Sequence, residues 1–291
     1  MLYPKVKFTD IKRSSALRAQ SLEHAINRSL LPFFNLPRNQ NSSKNTFKTV
    51  QERIKAILQK DHPKHIALIM DGNRRWAKQR GMSSRQGHLE GAKRLIELLS
   101  EFPKIGVQTV SLYAFSTENW KREGTEVRAL FHIFELYLKT YAKKMVANGV
   151  KLKVIGDRSP LSPALNKLID RVEEQTSRGT TLNCLLAINY GGRNELIRAV
   201  KSWYDAEVVT GRSSVAELDE SKLPLYLDTQ GYADPDLVIR TSGQKRVSNF
   251  LLWQMAYAEI ISAKALWPDF SVEDLLDCVE KFQENQRRYG K

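Results

Sequence analysis

Apolar and polar positions follow two different periods along this chain, and the switches between them predict its elements. Short continuous apolar runs, typical of buried strands, alternate with longer segments in which apolar residues recur every three or four positions, as on one face of a helix. The predicted strands are residues 66–70, 109–115, 152–155, 182–189, 237–240 and 258–262. The predicted helices are residues 89–102, 126–148, 163–178, 194–204 and 249–257. This alternation is typical of the α/β class, so we expect a central, mostly parallel six-stranded sheet flanked by helices.

The chain before the first predicted strand has a different composition. Residues 1–45 are rich in Ser, Asn, Lys and Arg and poor in acidic residues, which is typical of an organelle transit segment. This favours a plastid (chloroplast) location; a disordered basic arm on a cytoplasmic protein is the alternative. Residues 46–64 are predicted to be a linker with a short amphipathic helix at residues 48–60, followed by one domain at residues 65–291. Four apolar residues share one side of that helix: Val50, Ile54, Ile57 and Leu58.

Positive charge is concentrated near the N-terminus. The 291 residues include 46 Lys and Arg against 32 Asp and Glu, a formal net charge of +14. Residues 1–64 hold 13 of those cations and four of the acids, so the rest of the chain is nearly balanced. This distribution argues against a nucleic-acid partner, which the net charge alone would suggest. The two cysteines, Cys184 and Cys278, lack the spacing of a zinc site.

Polar and charged side chains directly follow the predicted strands. Five such groups occur: Asp71 to Trp76, Ser116 to Arg122, Gly156 to Arg158, Tyr190 to Glu195 and Thr241 to Arg246. The carboxyl ends of parallel strands meet at the same edge of a sheet, where ligands of open α/β proteins bind. We therefore expect these groups to form one polar rim.

Two parts of this rim suit diphosphate groups. Helix N-termini and arginine guanidinium groups bind phosphate oxygens through several N–H donors at once. The first part is Gly72, Asn73, Arg74 and Arg75, and the second is Arg240, Arg246 and Ser248. One diphosphate would not need both sets, so the sequence predicts two anion sites.

Asp71 is an acidic residue among these arginines. Mg²⁺ commonly binds one or two carboxylates together with phosphate oxygens and water, so Asp71 could hold a cation that bridges a diphosphate. A helix-capping aspartate beside a structural arginine pair is the alternative, and the spacing alone leaves both open. The GxxxxGK[ST] and GxGxxG patterns of nucleotide-binding proteins are absent from the sequence.

Residues 65–78, HIALIMDGNRRWAK, resemble the signature of the cis-prenyltransferases, the undecaprenyl diphosphate synthase family. FSTENW at 115–120, NYGGR at 189–193 and the segment 236–254 resemble further family motifs in the same order. The DDxxD pattern of the all-helical trans-prenyl synthases is absent. The resemblance covers about residues 63–290 and implies a plant plastid-type member with a single catalytic domain at residues 65–291. Such a homodimeric enzyme uses Mg²⁺ and condenses isopentenyl diphosphate with an allylic diphosphate primer into a Z-polyprenyl diphosphate.

The resemblance also implies roles for individual residues. Mg²⁺ would bind Asp71 and Glu259, while Ser116 and Asn119 would lie near the reacting carbon and help the proton leave. The allylic diphosphate would be bound by Gly72, Asn73, Arg74, Arg75 and Trp76, with His88 and Arg122 nearby. Isopentenyl diphosphate would be bound by Arg240, Arg246 and Ser248. Arg288 and Gly290 would reach into the partner subunit's site, with a frayed terminus as the alternative.

The predicted helix at residues 126–148 is apolar around much of its circumference, which indicates burial on more than one side. Core packing would explain this, whereas the resemblance makes the helix a wall of an apolar tunnel. Phe131, Phe134 and Tyr137 would floor that tunnel and favour a short- to medium-chain product, which could contact a membrane surface. Replacing Phe131 or Phe134 with alanine should then lengthen the product. A non-catalytic partner subunit of a heteromeric cis-prenyltransferase is the alternative function.

Three positions depart from the family pattern. Ser84 stands where the family often has arginine, Glu123 where proline is usual, and Gln244 where glutamate is usual. We expect their effects at the edge of the site, because Asp71 and Arg240 are unchanged.

Overall fold

The computed structural model describes residues 49–285. The predicted transit segment at residues 1–45 lies outside the described residues, as do Arg288 and Gly290 of the predicted dimer contact. Within residues 49–285, no helix combines the length and the apolar character that crossing a membrane requires.

A six-stranded sheet forms the centre of the described region. Its strands are β1 (His65–Ile69), β2 (Thr109–Ser116), β3 (Val150–Ile155), β4 (Leu182–Tyr190), β5 (Leu237–Arg240) and β6 (Glu259–Ser262). Every neighbouring pair is parallel, and the order across the sheet is β3-β4-β2-β1-β5-β6. The predicted fold class and sheet are therefore confirmed. Because β1 lies between β2 and β5, the polar groups after these three strands adjoin at one edge.

Helices pack against this sheet at the positions that the sequence pattern largely predicts. The α-helices of the described region are α1 (Val50–Leu58), α2 (Asn73–Gln79), α3 (Ser84–Leu99), α4 (Gly124–Ala147), α5 (Pro163–Thr176), α6 (Gly192–Trp203) and α7 (Val272–Glu284). Helix α3 begins earlier than predicted because Ser83 caps it: Ser83 Oγ accepts from the Gln86 N–H, and Gln86 Oε1 accepts from the Ser83 N–H. Helix α7 was not predicted, although four of its apolar residues are buried.

The prediction of a helix at residues 249–257 is wrong. Ser248, Asn249 and Leu251 have φ angles of +49°, +63° and +41°, and the segment is a series of turns. An α-helix of L-residues cannot include such left-handed residues at these positions. Phe250 and Leu251 are fully buried against one face of the sheet, so the apolar run there reflects packing of a turn.

Apolar side chains cover both faces of the sheet. In β1, Ile66 and Leu68 belong to a large cluster that includes residues of α1, α3, α4, α5 and α7, while Ala67 and Ile69 belong to a smaller cluster. Successive strand residues point to opposite faces, so the two clusters lie on opposite sides. Burial on both sides explains why the strands are continuous apolar runs.

Helix α1 packs on α7 instead of forming an open linker. Ile54 and Ile57 are buried, whereas Leu58, predicted on the same side, is exposed. The Arg53 guanidinium donates to Glu280 at 2.8 Å and to Asp277 at 2.7 Å. Bidentate contacts of this kind fix orientation as well as adding stability. Residues 50–58 are therefore part of the same folded unit as the sheet.

Candidate active site

Asp71 lies two residues beyond β1, where the backbone holds it in place. Its N–H donates to Thr241 Oγ1 at 2.9 Å, and its carbonyl accepts from the same hydroxyl at 2.6 Å and from the Trp267 N–H at 3.1 Å. The next residue, Gly72, has φ of +116°, and an added Cβ would lie 3.1 Å from the Leu266 backbone. Glycine is needed here because L side chains rarely adopt this conformation. The turn directs the chain from β1 into α2.

The Asp71 carboxylate bridges the two predicted arginine sets. Its Oδ2 accepts from Arg240 Nη2 at 2.8 Å, and its Oδ1 accepts from Arg75 Nη2 at 3.1 Å. Burial raises the pKa of Asp71, but the hydrogen bonds and charges of Arg240 and Arg75 outweigh it and hold that pKa below its ordinary value. Asp71 is therefore ionised at neutral pH, and the two predicted anion sites are direct neighbours.

Arg240, the last residue of β5, is almost completely buried. Its Nη1 donates to Ser248 Oγ at 2.7 Å and to the backbone carbonyl of Arg246. Its Nε is buried and has no hydrogen-bond partner among residues 49–285. A buried donor without a partner is costly, and an anion bound beside it would satisfy it. The structure thus brings Arg240, Arg246 and Ser248 together, as predicted from their spacing.

Glu126, a residue that the sequence analysis missed, gathers three basic side chains of the first predicted anion site. Its carboxylate lies 3.0 Å from Arg122 Nη1, 3.2 Å from His88 Nε2 and 3.8 Å from Arg74 Nε. Burial lowers the pKa of His88 below its ordinary value, and the Arg122 and Arg74 charges add to this effect, while Glu126 opposes it. The only sequence signal for Glu126 is its position four residues after Arg122 in the first turn of α4.

Two polar cavities open at this edge of the sheet. The larger, of about 850 Å³, lies over the start of α2 and is lined by Asp71, Gly72, Asn73, Arg74, Arg75, Lys78, His88 and Arg122, among others. The smaller, of about 240 Å³, is lined by Asp71, Asn73, His88, Ser116, Asn119, Arg122, Arg240, Arg246 and Ser248, among others. The two share several lining residues, including Asp71, so they are parts of one cleft.

The cleft carries a strong excess of positive charge. Six Lys and Arg side chains line it: Arg74, Arg75, Lys78, Arg122, Arg240 and Arg246. Asp71 is the acidic residue among the lining residues of both cavities. A concave surface of one sign raises the local concentration of oppositely charged ligands, so the cleft favours highly charged anions.

An apolar cavity of about 110 Å³ lies directly below the polar cleft. Met70, Asn73 and His88 line both, and the deeper walls come from β2, α3 and α4. Phe134 and Tyr137 line this cavity as predicted. Phe131 is not among its lining residues, so the structure does not support a position for Phe131 at the tunnel floor. Its ring packs against Phe115 at 5.0 Å, and against Trp120, which places it at the side of the site.

Two predicted site residues are not brought to the cleft. Trp76 Nε1 donates to Asp269 Oδ1 at 2.6 Å, and its ring packs under Arg80, so the prediction that Trp76 binds substrate is not supported. Glu259 pairs with Leu237 at the amino end of β5, about 10 Å along the strand from Arg240. Within one chain, Glu259 therefore does not meet Asp71, as the predicted shared metal site would require. No cluster of three or more His, Cys, Asp or Glu side chains in residues 49–285 could hold a metal alone.

Comparisons with known proteins agree with this geometry. The family model for undecaprenyl diphosphate synthases (Prenyltransf) matches residues 69–290. An isoprenyl transferase of Clostridium perfringens is 44% identical over 234 residues, which cover 80% of this chain and 92% of the relative. An isoprenyl transferase of Staphylococcus saprophyticus is 42% identical over 228 residues, covering 78% of this chain and 89% of the relative.

Two solved structures share the fold over most of their length. Lavandulyl diphosphate synthase from Lavandula x intermedia, in complex with dimethylallyl diphosphate, superposes with a TM-score of 0.76 at 32% identity, covering 79% of this chain and 99% of that chain. A probable undecaprenyl diphosphate synthase from Campylobacter jejuni gives a TM-score of 0.67 at 35% identity, covering 79% of this chain and 100% of that chain. The predicted resemblance is confirmed, and this chain belongs to the undecaprenyl diphosphate synthase family of cis-prenyltransferases.

Proposed function

We propose that this chain condenses isopentenyl diphosphate with an allylic diphosphate primer and releases a short- to medium-chain Z-polyprenyl diphosphate. One observation carries the proposal: two adjoining anion-binding cavities, joined at Asp71, open above an apolar cavity. The relative crystallised with dimethylallyl diphosphate supports an allylic diphosphate as one of the two substrates.

The larger cavity suits the primer. The primer's diphosphate would accept hydrogen bonds from the backbone N–H groups at the start of α2. It would also accept charge-assisted hydrogen bonds from Arg74, Arg75 and Arg122. When the allylic C–O bond breaks, the electron pair stays on the leaving diphosphate. Donors that are already in place stabilise that developing charge without reorganising, which lowers the barrier to ionisation. The hydrocarbon part of the primer would extend into the apolar cavity beneath.

The smaller cavity suits isopentenyl diphosphate. Its diphosphate would bind Arg240, Arg246 and Ser248, and its double bond would attack the allylic carbon to form the new C–C bond. This attack leaves a positive charge on C3 of the isopentenyl group, and loss of a proton from the adjacent C2 then forms the new double bond. Ser116 and Asn119 line this cavity and are placed to orient the group that takes the proton.

Asp71 and the phosphate oxygens of a substrate are a suitable ligand set for Mg²⁺. One partly exposed, ionised carboxylate beside a phosphate site matches the usual binding of this ion, which keeps several waters. When bound, Mg²⁺ would neutralise diphosphate charge. The carboxylate also orients Arg240 and Arg75, so it would serve both the ion and the two anion sites.

The small size of the apolar cavity supports the short end of the proposed range of product lengths. Its volume of about 110 Å³ is somewhat below the roughly 150 Å³ of an engineered apolar cavity that holds one benzene, so it admits about one five-carbon unit without rearrangement. A further cavity of about 280 Å³ shares Ile96, Leu99 and Met145 with it. Longer chains would need these residues, or Phe134 and Tyr137, to move.

We further propose that the enzyme is a homodimer directed to a plastid by residues 1–45. Large apolar side chains are exposed on α6 and around β6, including Ile197 (59%), Tyr204 (46%), Tyr257 (78%) and Ile260 (48%). Large exposed apolar groups are typical of surfaces that contact another protein, which supports a subunit contact at these residues.

The test is turnover by the purified full chain alone. Labelled isopentenyl diphosphate and Mg²⁺ would be supplied with dimethylallyl, geranyl or farnesyl diphosphate, and the products separated by chain length and double-bond geometry. We expect Z-configured products from at least one primer, and loss of product in Arg240→Ala. No product with any of the three primers would contradict the proposal and favour the non-catalytic partner subunit.

A further inference from the structure

Two loops form opposite walls of the smaller polar cavity. The loop after β2 supplies Ser116 and Asn119, and the loop after β5 supplies Arg246 and Ser248. These loops belong to strands that are not neighbours, because β1 lies between them. The spacing of the walls is therefore not set by the sheet hydrogen bonds alone.

The Tyr113 hydroxyl of β2 donates to the Ser248 carbonyl at 3.2 Å, and among residues 49–285 one side-chain pair joins the two loops themselves. Asn249 Nδ2 donates to Glu118 Oε1 at 2.9 Å. Glu118 precedes Asn119, and Asn249 follows Ser248, so each partner is adjacent in sequence to a residue that lines the cavity. Neither partner lines the cavity itself.

The other hydrogen bonds of Asn249 determine which way its side-chain amide points. Its Oδ1 accepts from the Arg193 N–H at 3.0 Å, and the Asn249 carbonyl accepts from the Gly192 N–H at 2.7 Å. A flipped amide would set its NH₂ group against an N–H and its oxygen against the Glu118 carboxylate. Both contacts would be repulsive, so the NH₂ group faces Glu118.

Two features of the backbone fit a close contact at this point. Ser248 and Asn249 both have positive φ, a conformation that asparagine tolerates better than most residues. At Gly191, an added Cβ would lie 2.6 Å from Thr117 Oγ1 and 2.8 Å from Asn249 Nδ2. Any side chain at residue 191 would push the two loops apart, so glycine permits their approach.

We propose that Glu118 and Asn249 are positioning residues that hold the two walls of the isopentenyl diphosphate site at their working distance. The inference rests on the proposed function and extends it to two residues outside the lining of the site. When the bond is lost, Ser248 and Arg246 move relative to Asn119. Isopentenyl diphosphate then binds more weakly, while the primer site, which shares Arg246 with this cavity but lies mainly over α2, is affected less.

The test is direct binding of isopentenyl diphosphate by calorimetry in Mg²⁺, with KM for each substrate measured in parallel. Glu118→Ala removes the acceptor and one negative charge. We expect it to weaken isopentenyl diphosphate binding by about tenfold, the loss typical of one charge-assisted hydrogen bond, with primer KM changed by less than about twofold. The change in net charge alone would predict tighter binding, because removing a negative charge near the site should favour binding of an anion. Glu118→Gln keeps the acceptor and should bind within about threefold of wild type.

A reciprocal exchange completes the test. Asn249→Asp sets two carboxylates against each other and should weaken binding, whereas Asn249→Asp with Glu118→Gln restores a donor and an acceptor and should recover it. Asn183→Asp is the matched control, since Asn183 donates to Gln108 and Thr109 at the opposite end of the sheet. It should leave isopentenyl diphosphate binding unchanged.

Three results would overturn the inference: unchanged or tighter binding in Glu118→Ala, failure of the double variant to recover, or no binding of isopentenyl diphosphate by the wild type. Turnover distinguishes this inference from the proposed function. Normal condensation with unaltered binding in Glu118→Ala refutes only the positioning role. Altered binding in a chain that makes no product supports the positioning role and contradicts the proposed function.

Discussion

Asp71→Asn keeps the shape of the side chain and removes its charge, so it separates the roles that Asp71 could play. In the wild type, the carboxylate pairs with Arg240 at 2.8 Å and with Arg75 at 3.1 Å. It therefore competes with a diphosphate for these guanidinium groups, and it also offers the ligand that Mg²⁺ prefers. The variant should bind pyrophosphate more tightly without Mg²⁺ and should gain little from adding the ion.

The magnitude follows from the distances and exposures. A charge about 6 Å from a bound phosphate contributes roughly 3 kcal/mol at an effective dielectric constant of about 20. Asp71 is 26% exposed, and solvent and salt screening reduce this to about 1 kcal/mol, or a fivefold to tenfold tighter metal-free affinity. Arg240 is 6% exposed and loses its counter-charge, so the free energy of unfolding should fall by about 1–2 kcal/mol, between the values for exposed and buried pairs.

The assay is calorimetric titration of pyrophosphate, first with a chelator and then with Mg²⁺. Wild type should gain affinity on adding Mg²⁺, and Asp71→Asn should not, with turnover reduced by at least about a thousandfold. Asp277→Asn, which breaks a surface pair with Arg53, is the control and should change neither titration. Equal Mg²⁺ enhancement in the two proteins, or unchanged metal-free affinity in Asp71→Asn, would refute the reasoning.

Unfolding at acidic pH measures how much the ionised Asp71 carboxylate contributes to stability. The pKa of Asp71 is held below its ordinary value in the folded chain, mainly by Arg240 acting against burial. Such a group contributes stability above its unfolded pKa of about 3.9, and this stability is lost as pH falls through the lower folded pKa. Asp71→Asn should therefore lose less stability than wild type over that acidic range.

Two further predictions concern the tunnel and the primer site. Phe134→Ala should shift products to longer chains because Phe134 lines the apolar cavity, whereas Phe131→Ala should leave product length nearly unchanged; equal lengthening by both would contradict this assignment. Glu126→Gln should lower the pKa of His88 further, because burial already lowers it and Glu126 opposes that shift. An NMR titration of the His88 ring checks this, and a higher His88 pKa in the variant would be inconsistent with the observed cluster.

The general rule for parallel sheets made much of the site predictable. Asp71 and Arg240 are distant in sequence, but each follows or ends a strand, and carboxyl ends of adjacent parallel strands must adjoin. The strands themselves were recognisable because burial on both faces leaves continuous apolar runs. The order of residues along the chain was therefore enough to predict that these two groups of polar residues adjoin.

Features that depend on tertiary packing were not predictable in the same way. The contact between Glu126 and His88 depends on how α3 packs against α4. The spacing of apolar residues along each helix does not determine that packing. Glu259 lies at the amino end of β6, and only the strand register shows that it pairs with Leu237, three residues from Arg240. Trp76 belongs to the signature segment, yet the helical rotation of α2 turns it toward Asp269.

The central claim is that one cleft holds two different diphosphates side by side, and occupancy tests it most directly. Isopentenyl diphosphate would be titrated in Mg²⁺ into the full chain already saturated with an unreactive thio-analogue of an allylic diphosphate. We predict that one isopentenyl diphosphate still binds per chain, and that Arg240→Ala abolishes this binding while the analogue remains bound. Stoichiometric displacement of the analogue by isopentenyl diphosphate would show a single shared site and contradict the account.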